Sequence, residues 1–137
     1  MTKKVILFLS GLGILISLYL LYLSQSEGVA CGLSGCNLVI KSEYSEFLGI
    51  NVALLGVIYF VVIFFLFLFT SQKLMRIKIF ITTLGFIFAL YLIYVQFFIL
   101  GNFCYYCLIA DSLALSIFII FNWQFSKANK QIHLGDK

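Results

Sequence analysis

The chain has 137 residues, 64% of them hydrophobic and only 10% charged, with no proline and a formal net charge of +4. Soluble domains carry roughly 45–50% apolar and about 25% charged residues, which excludes an ordinary water-solvated core here and leaves lipid as the solvent. The length allows one domain, and the positive charge is better explained by membrane topology than by a nucleic-acid partner.

A helix that crosses a bilayer needs about 20 largely apolar residues. Four stretches qualify in chain order: Val5 to Leu23, Asn51 to Phe69, Ile77 to Leu100 and Tyr105 to Phe125. Each is rich in Leu, Ile, Phe and Tyr and lacks the polar stripe of a surface helix. The expected fold is therefore an all-α integral membrane bundle of four helices in a single domain over residues 1–137. Lys3-Lys4 before the first stretch and Gly28-Val29-Ala30 before Cys31 imitate a cleaved leader. The apolar run exceeds the usual h-region of about 7–15 residues, so a retained span is expected.

Between the first two stretches lies the one sizeable connection, roughly Ser24 to Gly49. It carries Cys31-Gly-Leu-Ser-Gly-Cys36, where two glycines permit tight turns. After it, Asn37 to Phe47 has Leu38, Val39, Ile40, Tyr44 and Phe47 among Lys41, Glu43 and Glu46, which predicts a short amphipathic helix on the membrane surface. The connection between the last two stretches is short. Gly101-Asn102 make the turn, Asn102 is placed to cap the last helix, and Cys104-Tyr105-Tyr106-Cys107 opens it. Residues after Phe125 form a polar tail, expected to fray, and its His133 is expected to be merely solvated.

Basic residues set the orientation. Lys3, Lys4, Lys73, Arg76, Lys78, Lys127, Lys130 and Lys137 fall at one end of the predicted bundle, while Lys41 alone stands at the other, against Glu27, Glu43 and Glu46. The positive-inside rule then puts both termini in the cytoplasm and both cysteine pairs outside, at the plasma membrane of a bacterium facing an oxidising compartment.

Thiols in that setting exchange electrons. The thiolate is the reactive form, and a helix N-terminus favours it. Cys104 and Cys107 share a helix face, with Cys104 expected nearer the water and Cys107 one turn deeper towards the acyl chains. The loop pair Cys31/Cys36 can swing over Cys104, and exchange through a mixed disulfide links the two pairs into a relay. Two structural bridges or a four-Cys zinc site fit the same count. However, a bridge across two residues of a lipid-held helix adds little, and thiols outside the cell tend to be oxidised. No His follows Cys107, so a c-type haem signature is absent.

Two polar residues inside apolar stretches stand out. Asp111 lies one turn beyond Cys107, and an ionisable group in a span is a functional candidate because it is costly there. It can bond a membrane-dissolved electron acceptor or relay a proton; it can also cap a neighbouring helix. Gln96, eight residues before Cys104, lies about 12 Å deep at 1.5 Å per residue, and can contact a bound acceptor or bridge helices.

The chain resembles the vitamin K epoxide reductase family, in its bacterial branch, over nearly its whole length. The residues that carry the likeness are Cys31 and Cys36, Ser42 six positions after Cys36, Gly49-Ile50, Leu55-Gly56, Tyr91, Tyr94, Gln96 and Phe103-Cys104-Tyr105-Tyr106-Cys107-Leu108. The resemblance implies a four-helix bundle enclosing a quinone, either menaquinone or ubiquinone. It implies that Cys107 passes electrons to the quinone, that Cys104 exchanges with Cys36, that Cys31 meets a thioredoxin-like redox partner, and that Ser42 orders the loop over the quinone. Asn51 departs from the proline common in bacterial relatives, and Asp111 from the tyrosine of animal members. Many bacterial relatives carry a fused thioredoxin-like domain; this chain ends after the fourth stretch, so a separate partner protein is expected.

The expected activity is that of a membrane thiol oxidase that reoxidises its dithiol partner and sends two electrons to quinone. A DsbB-type quinone reductase would have the same activity, but it places its C-x-x-C in the first outer loop, whereas here the wider pair comes first. A non-enzymatic four-span protein with structural disulfides is the reading from another class. As a transporter it is disfavoured because the first stretch has no charge between Val5 and Leu23.

Overall fold

The computed structural model describes residues 2–25, 43, 46–47, 49–69 and 72–135. Four helices carry nearly all of them: α1 (Thr2–Gln25), α2 (Val52–Leu68), α3 (Met75–Tyr94) and α4 (Tyr105–Gly135). Three helical stretches, Thr2–Gln25, Met75–Leu100 and Tyr105–Ala128, are long and apolar enough to cross a membrane. The fourth, α2, is a shorter apolar helix of 17 residues. The fold is a membrane helical bundle.

The helices meet along stripes of small and branched side chains. On α1 the buried positions are Ile6, Ser10, Gly13, Ser17 and Leu20, spaced three and four apart so that they line one face. This face makes the most extensive contact in the bundle, against α2. Close approach is why the stripe is small: a Cβ on Gly13 would overlap the Phe60 ring, and one on Gly56 would lie 3.0 Å from Ser17 Oγ. Ile6, Phe60, Ile63, Phe67, Ala89, Ala114, Ile117 and Phe121 form the main core. A smaller cluster at the other end joins Leu20 to Cys104. Outward, Phe8, Leu15, Phe80, Ile87 and Phe98 are more than half exposed, an arrangement that water would penalise and acyl chains accept.

Each end of the bundle has its own ties. At one, Lys3 Nζ donates to the Leu68 carbonyl at 3.0 Å and Lys78 Nζ to the Phe69 carbonyl at 3.2 Å, so cations from α1 and α3 satisfy the C-terminus of α2. At the other, Asn51 Oδ1 accepts from the Ala53 N–H at 2.8 Å and caps α2, while its Nδ2 donates to Ser24 Oγ on α1 at 2.9 Å. Asn51 has φ −60°, the value a proline ring imposes.

Three expectations need correction. Asn37 to Phe47 was expected to be an amphipathic helix, but Glu46–Phe47 is a strand, β1, paired antiparallel with β2 (Ile50–Asn51) through a turn at Gly49, whose φ is +79°. Strand pairing with the residues that lead into α2 takes Glu46 and Phe47 out of that helix; Glu43 stands in a 3-10 turn, and the rest of the segment lies outside the described residues. The expected frayed tail is instead helical through Gly135. Between Ser126 and Leu134 nothing breaks the helix, and the next residue is a glycine. The third concerns the start of α4, its cap and the exposure of Cys104, and belongs to the site.

Candidate functional site

Before α4 begins, α3 gives way to a π-helical turn over Val95–Leu100, ended by Gly101 in the left-handed conformation with φ +60°. The wider turn is a common mark of functional positions. Within it Gln96 is 3% exposed, and its Oε1 accepts the backbone N–H of Cys104 at 3.1 Å. A buried amide donor is thereby satisfied from another helix.

Cys104 is itself the cap of α4. Its carbonyl accepts the Leu108 N–H at 2.9 Å, and its Sγ accepts the Cys107 N–H at 3.3 Å. Asn102, the expected cap, donates instead to the Leu100 carbonyl at 2.9 Å. It serves the turn, because the sulfur already occupies the capping position. Burial also runs against expectation. Cys104, expected nearer the water, is wholly buried against Leu20 and Gln96, whereas Cys107 is half-buried. Leu20 and Gln96 cover the start of α4, so position along the helix does not translate into exposure.

One turn further in, an apolar cavity of about 480 Å³ opens among all four helices. That volume is in the range of small-molecule sites, roughly 300–1,000 Å³. Cys107, Asp111 and Ala114 line it from α4, Gln96 from the π turn, and Tyr59 from α2. Asp111 is 6% exposed, and its Oδ2 is buried without a hydrogen-bond partner among the described residues; the Tyr59 hydroxyl is likewise buried without one. Orphaned buried polar atoms in an apolar wall are costly, and the cost is relieved by a ligand that brings its own polar atoms. Apolar walls of this kind suit a planar hydrophobic ring and its chain.

The structure thus brings together Cys104, Cys107, Asp111 and Gln96 from the sequence-level candidates. Cys31, Cys36 and Ser42 lie outside the described residues. Sequence reasoning missed Tyr59, whose hydroxyl is a lone polar tip in Val57-Ile58-Tyr59-Phe60-Val61. A phenol in the middle of an apolar helix, far from its ends, was the available signal.

A helical membrane bundle with a C-x-x-C whose second cysteine walls an apolar cavity defines a membrane redox protein. The profile of the Vitamin K epoxide reductase family matches residues 4–121, and the chain belongs to that family. It is accordingly a membrane oxidoreductase of the disulfide-acting kind, in a family that generally uses quinones.

Proposed function

We propose that this protein is a thiol oxidase that takes electrons from a separate thioredoxin-like dithiol partner outside the cytoplasm and passes them to a membrane quinone, menaquinone or ubiquinone, supporting disulfide formation. The observation that carries the reading is the placement of Cys107 and Asp111 in one wall of an apolar cavity, with Cys104 capping the same helix.

In the proposed sequence, the partner's two thiols reduce a Cys31–Cys36 disulfide through a mixed disulfide, and that pair then reduces a Cys104–Cys107 disulfide through Cys36 and Cys104. Closing the Cys104–Cys107 bond again releases two electrons and two protons, which convert the quinone to its quinol. The Cys107 N–H aimed at the Cys104 sulfur stabilises negative charge there whenever that sulfur is the leaving group. Asp111, one turn beyond Cys107, is the proposed proton-handling or hydrogen-bonding group at the acceptor. Gln96 is proposed to hold Cys104 through its backbone and to border the acceptor, and Ser42 to order the loop above it. The apolar walls exclude water, and with it loss of the electron pair to side reactions.

Both termini are proposed to be cytoplasmic in a plasma membrane. Lys3 and Lys78 gather at the end of the bundle opposite Cys104, the distribution that the positive-inside rule asks of a cytoplasmic face. All four helices, α2 included, are proposed to span, giving a single four-span domain. The reading is tested with purified protein, a reduced thioredoxin-like dithiol and quinone. Loss of the quinone absorbance with wild type but not with Cys107→Ala is expected; turnover that survives Cys107→Ala would refute it.

A further inference from the structure

Tyr59 takes no part in the chemistry proposed so far, yet it is the other orphan in the cavity wall. Its hydroxyl is buried and has no hydrogen-bond partner among the described residues. A ring contact fixes its level relative to Asp111: Phe67 of α2 and Phe121 of α4 pack edge to face with centroids 5.3 Å apart. Both helices run from the cysteine end towards the lysine end. Tyr59 stands eight residues before Phe67 and Asp111 ten before Phe121, and at 1.5 Å per residue these are rises of about 12 and about 15 Å. The phenol and the carboxyl therefore sit at nearly one level, on two helices, in the wall of one cavity.

The hydroxyl end also has a built seat. A Cβ placed on Gly85 of α3 would overlap the Tyr59 ring and its oxygen, so the hydroxyl reaches its level only because position 85 lacks a side chain. The neighbouring Phe60 ring packs edge to face on Tyr59 at 5.2 Å and holds the ring from its own helix. A phenol steadied on two sides, with an unused donor at its tip, is suited to donate to a carbonyl oxygen.

We infer that Tyr59 is a second polar contact for the acceptor, its O–H donating to one oxygen of a planar two-oxygen ring whose other oxygen accepts from the protonated Asp111 carboxyl. This rests on the quinone reading above and adds to it a residue and a selection rule. The site discriminates rings that carry oxygens from equally apolar rings without them, because two buried polar groups stay unsatisfied when a bare hydrocarbon binds.

The test uses full-length protein in lipid nanodiscs, with menadione and 2-methylnaphthalene as ligands of matched shape. Wild type is expected to prefer menadione, and Tyr59→Phe to weaken menadione about 5- to 10-fold, the loss of one hydrogen bond, while leaving 2-methylnaphthalene unchanged. The KM for menadione should rise by a similar factor, with dithiol-to-protein exchange in the absence of quinone unaltered. Menadione binding to Tyr59→Phe as tight as to wild type overturns the role of Tyr59 and leaves the acceptor reading standing. Wild type that binds menadione no better than 2-methylnaphthalene overturns both.

Discussion

The side-chain carbonyl of Gln96 holds the backbone N–H of Cys104 at 3.1 Å, joining the π turn at the end of α3 to the residue that caps α4. Gln96 and the proposed redox residue Cys104 are coupled through the main chain, and the Cys104 sulfur accepts from the Cys107 N–H. Gln96→Leu removes the acceptor and leaves a buried donor unsatisfied, at a cost of about 1–3 kcal/mol. The expected outcome is a lower unfolding temperature and faster alkylation of Cys104 by maleimide in the reduced protein, Cys104 being wholly buried in the wild type. A role confined to the acceptor would instead raise the quinone KM and leave alkylation unchanged.

Removing one cysteine at a time should separate the two halves of the reaction. Cys107→Ala is expected to abolish quinone reduction and to accumulate a Cys36–Cys104 bridge, seen as a mobility shift on non-reducing gels. Cys104→Ala should abolish reduction without that bridge. A Cys107→Ala protein that carries only a Cys31–Cys36 bridge would contradict the relay.

Asp111 is placed where stability and activity should move in opposite directions. Its Oδ2 is buried and has no hydrogen-bond partner among the described residues, so Asp111→Leu is expected to raise thermal stability by about 1 kcal/mol while lowering turnover. Asp111→Asn keeps the shape and should raise the quinone KM or slow turnover. Thermal unfolding in detergent and steady-state rates check both; a carboxyl whose removal lowers stability with no change in rate would be a structural group.

Gly13 offers a test of the packing that supports the cavity. A methyl group there overlaps the Phe60 ring, so Gly13→Ala is expected to cost about 1–3 kcal/mol and to disturb the wall in which Phe60 sits. Gly11→Ala on the same helix, where an added Cβ meets nothing within 4 Å, is the matched control and should be near neutral.

Much of this bundle was legible because lipid demands long apolar helices, and a run such as Val52 to Leu68 admits few other readings. The cysteine spacing likewise placed Cys104 and Cys107 at the start of α4. The capping detail was not legible, since Asn102 and Cys104 are both near the helix start and the choice depends on how tightly Gly101 turns. The π turn was hidden for a similar reason: its wider winding is stabilised by contacts to Cys104 that no local pattern in Val95–Leu100 encodes. Tyr59 escaped because its significance depends on Gly85, 26 positions away on another helix.

The shortness of α2 has a consequence for the membrane itself. Seventeen residues rise roughly 26 Å, a few Å less than a hydrocarbon core of about 30 Å. Both of its ends are tied to longer neighbours, through Asn51 and Ser24 at one and through Lys3 and Lys78 at the other, so it cannot slide to suit a thicker layer. With α2 spanning as proposed, lipid beside it must thin or its neighbours must tilt, and either strain falls on a helix that lines the cavity. Acyl-chain length thereby becomes a setting of the redox site, with thinner bilayers matching the bundle as built.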